Sequence, residues 1–320
     1  MKTALVIPTI RENCLRDFMS KWNVSNKFDE FIVIEDNPKK TFNLNIKNHY
    51  SWEEIDKDLG KDSWIISRKD SSVRSYGLLL AYKLGADYIF TLDDDCYPIN
   101  EVDNCEFVNN HIDNLINTPK WVEAIPNQRT RGLPYFNKGV NKNVVMSVGL
   151  WEGVPDYDSI QTLSGENQKI SLPETKVLPV GQYTPICGMN LCFRRDFLPA
   201  CYWLLQGQGQ CFQRFDDIWM GIIAKKIADH LGFSITMGKP YIYHSRASDP
   251  MTNLVKEAPG IKFNEIFWEI IENIKLTKEN YDTLNCMKTI GSVLTETKDE
   301  FGYCNKLGKA ITVWCKLIGN

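Results

Sequence analysis

The sequence of 320 residues lacks any apolar run long enough to cross a membrane, and its longest runs, such as YIFTL, have the length of a strand. Its start, MKTALVIPT, turns polar without the apolar core of a secretory leader. Lysine and arginine are scattered along the chain and the formal net charge is only -3, so no nucleic-acid partner is expected. We therefore expect a cytoplasmic protein without a transmembrane segment.

Paired cysteine motifs are also missing. The ten cysteines are irregularly spaced, no CxxC occurs, and most lie in apolar stretches, as do Cys187, Cys192 and Cys201. This pattern predicts reduced thiols that are mostly part of the core. No GxGxxG follows the first apolar run and no GxxxxGK[ST] occurs, so neither a dinucleotide-binding fold nor a P-loop is indicated, and no flavin or NAD is implied.

The first third of the chain alternates short apolar runs with helical patterns. Strands are predicted at residues 4–7, 30–34, 64–67 and 88–92, and helices at 13–22 and after Ser72. This alternation is typical of an α/β fold with a parallel sheet, in which ligands bind beyond the carboxyl ends of the strands. The four strands end in PTIRE, EDNP, SRKD and DDDCYP, so we expect these polar segments to converge on one crevice.

The middle of the chain, from about residue 127 to 184, is rich in Gly, Pro, Asn and Asp. This composition predicts long loops that lie over the sheet and bind substrate.

Regular structure is predicted again after these loops. We expect a strand at residues 186–193, a helix from Asp216 or Asp217 to Gly232, and two strands at 234–237 and 241–244. The pattern is helical from about residue 264, which indicates a packed appendage or the surface of a homo-oligomer. We therefore predict a catalytic domain over residues 1–263 and a C-terminal helical region over 264–320.

Three consecutive carboxylates, Asp93, Asp94 and Asp95, directly follow a buried-strand pattern. Their mutual repulsion requires a cation or strong donors, and oxygen ligands at a strand tip suit Mg²⁺ or Mn²⁺ bridging a diphosphate. Because strand residues alternate sides, Asp93 and Asp95 are expected to face the metal while Asp94 points away or reaches a ribose. The alternative is a solvated acidic turn, which the preceding apolar run disfavours.

Further candidates lie at the other strand tips. We expect a set of residues at these tips to form hydrogen bonds with a nucleotide or to place charge opposite its phosphates. For each of them, a surface salt bridge is the alternative. They are Thr9, Arg11, Glu35, Asp36, Arg68 and Arg74, and Pro8 beside Thr9 is a further candidate for the nucleotide site.

Two late segments carry the remaining candidates. His244 ends the run YIYH and could add a metal ligand, although such a histidine is more often structural. Asp216 and Asp217 lie where a helix begins, so Asp216 is expected to act as the N-cap or favour the helix dipole. Asp217 is the candidate general base, or the group that stabilises a developing positive charge.

The motifs run in a fixed order from about residue 4 to about 265. They are IPTIRE, IVIEDNP, RSYG, LDDDCYP, GLWEGVPDYD, PICGMNLCFRRD, FDDIWMG, and PYIYHSRASDP with NLVKEAPGI. In this order they resemble the reversibly glycosylated polypeptides, the UDP-arabinopyranose mutases of glycosyltransferase family 75. The combination of GLW with PDYD, CGMN and HS-x-AS is far more specific than an acidic triplet alone.

The resemblance implies a GT-A-type (Rossmann-like) nucleotide-sugar-binding domain with a largely parallel mixed central sheet and a C-terminal helical appendage. It further implies a divalent metal, Mn²⁺ or Mg²⁺, a UDP-sugar as partner, and interconversion of UDP-L-arabinopyranose and UDP-L-arabinofuranose. Asp93 to Asp95 match the metal triplet of the family, His244 its late histidine, and Asp216 and Asp217 its paired aspartates. Trp151 of the GLW motif and Asn190 of the CGMN motif are placed at the substrate.

One segment departs from the family. Plant members read RGYPFSLREG, whose second Arg becomes glycosylated, whereas this chain reads RGLPYFNKG and has Lys138 at that position. Lys138, Arg129 and Arg131 are therefore candidates for phosphate contact or for covalent chemistry. Two alternatives to a mutase remain open: a metal-dependent glycosyltransferase that uses a UDP-sugar donor, and a non-catalytic complex subunit of the same fold.

Overall fold

The computed structural model describes residues 1–123, 125, 128, 130–165, 174–245 and 249–319. Within these ranges the strands form one mixed sheet. The strands are β1 (Thr3–Thr9), β2 (Glu30–Glu35), β3 (Asn48–Tyr50), β4 (Tyr88–Leu92), β5 (Cys96–Tyr97), β6 (Val144–Gly153), β7 (Lys176–Val177), β8 (Asn190–Arg194) and β9 (Ser234–His244).

The order of the strands across the sheet is β3-β2-β1-β4-β8-β6-β9-β5, and β7 pairs with β9. β1 pairs in parallel with β2 and β4, whereas β8 runs antiparallel between β4 and β6. β6 and β9 are parallel to each other. The carboxyl ends of β1, β2, β4, β6 and β9 and the beginning of β8 therefore meet at one edge of the sheet. The predicted α/β class with a mixed central sheet is confirmed.

Helices cover both faces of this sheet. β1 shows why: Ala4 and Val6 point into one hydrophobic cluster, whereas Leu5 and Ile7 point into the other, as the two-residue period of a strand requires. The helices are α1 (Glu12–Trp22), α2 (Trp52–Leu59), α3 (Arg74–Lys83), α4 (Glu101–Ile116), α5 (Ser159–Leu163), α6 (Asp216–His230), α7 (Pro250–Glu272), α8 (Thr283–Glu296) and α9 (Tyr303–Gly319).

The last three helices share the core of the sheet. Trp314 of α9 stacks on Tyr202 with ring centroids 5.2 Å apart, and Trp219 of α6 packs on Phe267 of α7 at 4.8 Å. All four residues belong to the hydrophobic cluster that contains Ala4 and Val6 of β1. The division into residues 1–263 and 264–320 stays a prediction, and its boundary falls within α7.

Several predicted elements differ from the structure. Residues 64–67 do not form a strand, because the edge position beside β2 is taken by β3 and the chain from Gly60 to Ile65 forms a 3-10 helix. The predicted middle loops contain the ten-residue strand β6, whose apolar run was hidden by the surrounding loop composition. The two strands predicted at 234–237 and 241–244 are the single strand β9.

The prediction that most cysteines are core thiols is confirmed for the described part of the chain. Seven of the nine cysteines described there are buried, Cys14 is half-buried and Cys211 is exposed, and all nine are free thiols. Within the same ranges, no helix combines the length and the apolar character needed to cross a membrane.

Candidate active site

A cleft of about 520 Å³ opens at the edge of the sheet where the strand tips meet. It is bounded by the ends of β1, β4 and β9, by the loop after β6, and by the first turns of α7. Eight of the residues predicted for the site line it: Pro8, Thr9, Arg11, Asp36, Asp93, Asp94, Asp95 and His244. All four segments predicted to converge therefore line the cleft: those after β1, β2 and β4, and SRKD through Lys69 and Asp70.

Arg11 binds two of the three clustered carboxylates. Its guanidinium forms an ion pair with Asp94, and its Nη2 lies 3.2 Å from Asp95 Oδ2. Thr9 Oγ1 also donates to Asp94, at 2.5 Å. Burial raises the pKa of Asp94, and Arg11 and Thr9 oppose that shift.

Asp94 does not point away from the site, because all three carboxylates line the cleft, and its contact with a ribose stays a prediction. β4 ends at Leu92, and Asp94 and Asp95 lie in a turn, where the two-residue period of a strand no longer applies.

The buried Arg74 binds Asp93, the third carboxylate of the triplet. The side chain is buried and forms an ion pair with Asp93, while its Nη1 donates to Thr91 Oγ1 at 2.9 Å and to the carbonyl of Gly188 at 3.0 Å. Its guanidinium lies 4.2 Å from the ring centroid of Trp203. Arg74 does not line the cleft, so its direct effect is on Asp93 and not on a ligand.

His244 is oriented for binding through one nitrogen. Its Nδ1 lies 2.8 Å from the carbonyl of Val154, which assigns the proton to Nδ1 and leaves Nε2 4.0 Å from Asp95 Oδ1. Metal-binding histidines are commonly oriented by such a contact to a backbone carbonyl. The donor types of Asp95 and His244 therefore fit a divalent cation.

Among the residues that the structure describes, the carboxylate and imidazole ligand atoms of Asp93, Asp95 and His244 do not all lie within 4.8 Å of one another. The group that does is Asp156, Cys187 and Asp217, whose ligand atoms lie within 4.8 Å of one another.

The tip of β2 places its two acidic residues differently. Asp36 lines the cleft and accepts hydrogen bonds from Trp52 Nε1 at 2.7 Å and from the amide of Asp70 at 2.9 Å. Glu35 is fully buried and does not line the cleft, because its carboxylate binds the loop after β2, including the Thr41 amide at 2.8 Å, and His49 Nε2 at 2.8 Å.

Lys69 takes the place predicted for Arg68. Arg68 binds Asp56 at 2.7 Å outside the cleft, with its guanidinium 5.3 Å from the ring centroid of Trp52. Lys69 lines the cleft, and its Nζ donates to the carbonyl of Asp36 at 3.2 Å. Arg68 and Lys69 are adjacent in SRKD, and the sequence alone does not show which of the two basic side chains faces the cleft.

The paired aspartates lie at the beginning of α6 without lining the cleft. Asp216 is not the N-cap, which is Phe215, and it accepts a hydrogen bond from Ser71 Oγ at 2.7 Å. Burial, followed by the charges of neighbouring carboxylates, raises its pKa well above the ordinary value. Asp217 accepts from the amides of Gly188 and Ile218, each at 2.8 Å. Burial raises its pKa to about 7, and the charge of Asp156 adds to the effect.

The basic loop predicted for covalent or phosphate chemistry does not reach the cleft where it is described. Lys138 Nζ lies 3.1 Å from Glu123 Oε1, and Arg131 is exposed to solvent. Arg129 lies outside the described residues.

The two residues predicted to bind substrate are also outside the cleft lining. Trp151 is a half-buried residue of β6. Asn190 is buried, and its Nδ2 donates to the carbonyls of Leu150 at 3.1 Å and Pro240 at 2.9 Å, while its Oδ1 lies 2.9 Å from His111 Nε2.

Asn190 therefore joins β6, β8 and β9 within the sheet. His111 Nδ1 continues this contact to Ser147 Oγ at 2.9 Å, and burial lowers the pKa of His111 to about 4. The neighbouring Gly149 has no space for a side chain, because a Cβ there would lie 2.0 Å from Asn190 Nδ2.

Besides Lys69 and Asp70 of the SRKD segment, sequence reasoning missed four charged residues of the cleft: Asp156, Arg214, Asp249 and Lys256. All four lie in motifs that carried the family resemblance or directly beside one.

Arg214 ties the cleft to the helices around it. Its Nε donates to Glu257 Oε1 at 2.7 Å, and Glu257 Oε2 accepts from the amide of Ser159 at 2.7 Å. This chain of contacts links the loop before α6 to α7 and to the first residue of α5.

Comparison with known proteins gives a consistent family. The model of the reversibly glycosylated polypeptide family matches residues 2–319, which extends the resemblance beyond residue 265 and through the C-terminal helices. UDP-arabinopyranose mutase 1 of Arabidopsis thaliana is 35% identical over 333 residues, covering 97% of this chain and 90% of the relative. UDP-arabinopyranose mutase 1 of Oryza sativa subsp. japonica is 32% identical, with 97% and 88% covered. The crystal structure of a mycobacterial protein covers 93% of this chain and 76% of its own with a TM-score of 0.43 and 10% identity, too little to support a functional conclusion.

Proposed function

This chain belongs to the reversibly glycosylated polypeptide family, and we propose that it is a nucleotide-sugar mutase that interconverts UDP-L-arabinopyranose and UDP-L-arabinofuranose. The proposal rests on the names of relatives that match 97% of the chain. The observation that carries it is the cleft, in which a carboxylate triplet, an oriented imidazole and several cationic side chains meet at the edge of an α/β sheet.

The nucleotide is proposed to lie across the tips of β1 and β2. Thr9 and Asp36 offer polar atoms there, and Lys69 lies beside them. Such an arrangement follows the general rule that α/β sheets bind ligands outside the carboxyl ends of their strands. We extend the proposal to a GT-A-type nucleotide-sugar domain over residues 1–263.

The diphosphate is proposed to lie at Asp95 and His244. These two residues would hold a divalent cation, Mn²⁺ or Mg²⁺, which when bound neutralises the charge that develops on the leaving diphosphate. Lys256 lines the same cleft and supplies further positive charge. Arg11 and Arg74 hold the triplet in place against its own repulsion.

Ring contraction places two demands on the protein. The bond between sugar C1 and the phosphate oxygen must break and form again, and water must stay away from C1 while it is open. The loop after β6 and the first turns of α7 border the cleft and are proposed to exclude water. We assign no covalent role to Lys138, since its ammonium pairs with Glu123 away from the cleft lining.

The test is to incubate purified protein with Mn²⁺ and UDP-L-arabinopyranose and to follow the furanose isomer by NMR. We expect an equilibrium mixture with the total UDP-sugar unchanged, and a large loss of rate for Asp95→Asn. A matched control is Glu152→Gln, which changes an exposed carboxylate outside the cleft lining.

The assay also separates the alternatives. A glycosyltransferase would release UDP in proportion to a sugar acceptor and give no isomer. A non-catalytic subunit would show no turnover of any UDP-pentose or UDP-hexose, and Asp95→Asn would leave its cellular role intact.

The cytoplasm is the proposed location, because the nine described cysteines are free thiols, as expected in a reducing compartment. A homo-oligomer remains a proposal that light scattering would test.

A further inference from the structure

The wall of the cleft holds a second pair of carboxyl groups, apart from the triplet. Asp156 follows β6, is exposed, and lines the cleft. Asp217 is half-buried at the beginning of α6 and does not line the cleft. One carboxylate oxygen of each residue lies within 4.8 Å of the other and of Cys187 Sγ. Two acidic side chains from distant parts of the sequence thus meet at the wall of the cleft.

Asp217 is held in place by two backbone amides. Its Oδ2 accepts from the amide of Gly188 and its Oδ1 from that of Ile218, both at 2.8 Å. Gly188 permits this approach because a Cβ there would lie 3.1 Å from Asp217 Cβ and 2.0 Å from the Trp203 ring. Asp156 is therefore the member of the pair that can contact a ligand. Asp217 is the member that is held by the backbone and orients Asp156.

The chemistry of the group favours a proton over a metal ion. Burial raises the pKa of Cys187 well above its ordinary value, so the thiol stays protonated, whereas a metal binds the thiolate. Both oxygens of Asp217 already accept backbone hydrogen bonds. Burial and the charge of Asp156 bring the pKa of Asp217 to about 7, which suits a pair that holds a proton near neutral pH.

We propose that Asp156 is the catalytic acid and base of ring contraction and that Asp217 is its positioning residue; this inference rests on the proposed mutase function. After UDP has left C1, sugar O4 attacks C1 and the O4 hydroxyl gives its proton to the carboxylate of Asp156, which leaves a bicyclic acetal. The C1–O5 bond then breaks, its electron pair stays on O5, O5 takes the proton back from Asp156, and the phosphate oxygen of UDP bonds to C1 again. Because O4 and O5 are on adjacent carbons, one carboxyl group serves both, and the protein ends in its starting protonation state.

The test separates ring contraction from cleavage of the C1–O bond. UDP-L-arabinopyranose with ¹⁸O in the bridge between C1 and the β-phosphate loses the label from the bridge whenever that bond breaks and re-forms. Furanose formation measures ring contraction in the same sample. We expect Asp156→Asn to lower the rate of contraction by about 10²- to 10⁴-fold, the usual contribution of a general acid or base. The isotope exchange should continue at a rate close to that of the wild type.

Two variants complete the design. Glu152→Gln removes an exposed carboxylate four residues before Asp156 and outside the cleft lining, and both of its rates should match those of the wild type. Asp217→Asn should lower kcat less than Asp156→Asn does and leave KM unchanged, whereas a change in KM alone would contradict a positioning role.

Two results overturn the assignment of Asp156 while leaving the mutase function standing. The first is contraction at the wild-type rate in Asp156→Asn. The second is a parallel loss of isotope exchange and contraction, which would place Asp156 at cleavage of the C1–O bond. A wild-type protein that forms no furanose from any UDP-sugar removes the proposed function itself, and this inference with it.

Discussion

Replacing Arg74 by Met tests how the acidic triplet is held. The guanidinium is 1% exposed and makes contacts with four partners. These are Asp93 and Thr91 Oγ1, and the carbonyls of Ser71 and Gly188. Met retains the apolar part of the side chain beside Trp203, so the change removes mainly the charge and the donors.

The expected loss follows from the partners left behind. Breaking a buried ion pair costs about 3–5 kcal/mol when the remaining charge has no other partner. The Asp93 side chain is 34% exposed, so water compensates for part of that cost. The Gly188 carbonyl loses a charged donor, a hydrogen bond of about 1.5–3 kcal/mol. We expect Arg74→Met to lower the free energy of unfolding by about 3–4 kcal/mol.

Urea unfolding measures this loss. With an m-value of about 3 kcal/mol/M for a chain of this size, the midpoint should fall by about 1 M at constant m. Adding Asp93→Asn to Arg74→Met removes the unpaired carboxylate and should recover part of the loss, which a double-mutant cycle would show. A loss below about 1 kcal/mol, or no recovery in the double variant, would refute the view that Arg74 holds Asp93.

Three further predictions concern the cleft. His244→Gln should weaken Mn²⁺ binding, measured by calorimetry, by about 10- to 100-fold or more, and an unchanged affinity would exclude His244 as a ligand. The pKa of Asp217 is raised from 3.8 to about 7 in the folded protein, so between these pH values the folded state holds a proton that the unfolded state has released. The stability of the wild type relative to Asp217→Asn should therefore fall as pH rises from about 4 to about 7 and stay level above, as urea midpoints would show; a constant difference contradicts the raised pKa. Gly188→Ala should destabilise the fold by about 3 kcal/mol or more, because the new Cβ would lie 2.0 Å from the Trp203 ring. Trp203→Phe in that background should restore part of the stability, and no restoration would count against the clash.

Sequence patterns predicted the elements that have a clear period. The apolar runs of β1, β2 and β4 and the helical pattern of α6 gave their positions to within two residues. Strand direction has no such signal, so the antiparallel insertion of β8 between β4 and β6 could not be foreseen. It places the beginning of β8 and the ends of β6 and β9 beside the acidic triplet.

The candidate site shows the same limit. Residues at strand tips, such as Arg11 and Asp95, could be assigned to the cleft because topology places them there. Asp156 and Arg214 lie in loops whose path depends on tertiary contacts, and the sequence carried no sign of which side chain would face the cleft. Glu35 shows the converse case, since its position was foreseen but its buried partners were not.

The contacts of Asn190 bear on what substitutions relatives of this protein can accept. Gly149, Asn190 and His111 lie on separate elements, yet any side chain at position 149 would displace the Asn190 amide from the Pro240 carbonyl. The buried His111 imidazole would then lose its Nε2 partner and keep only Ser147 at Nδ1. These three positions should therefore vary together across the family, with residues larger than Gly at 149 found only where 190 is small and 111 is apolar. An alignment of relatives would then show correlated substitutions at positions 111, 149 and 190, although none of the three residues taken alone indicates this constraint.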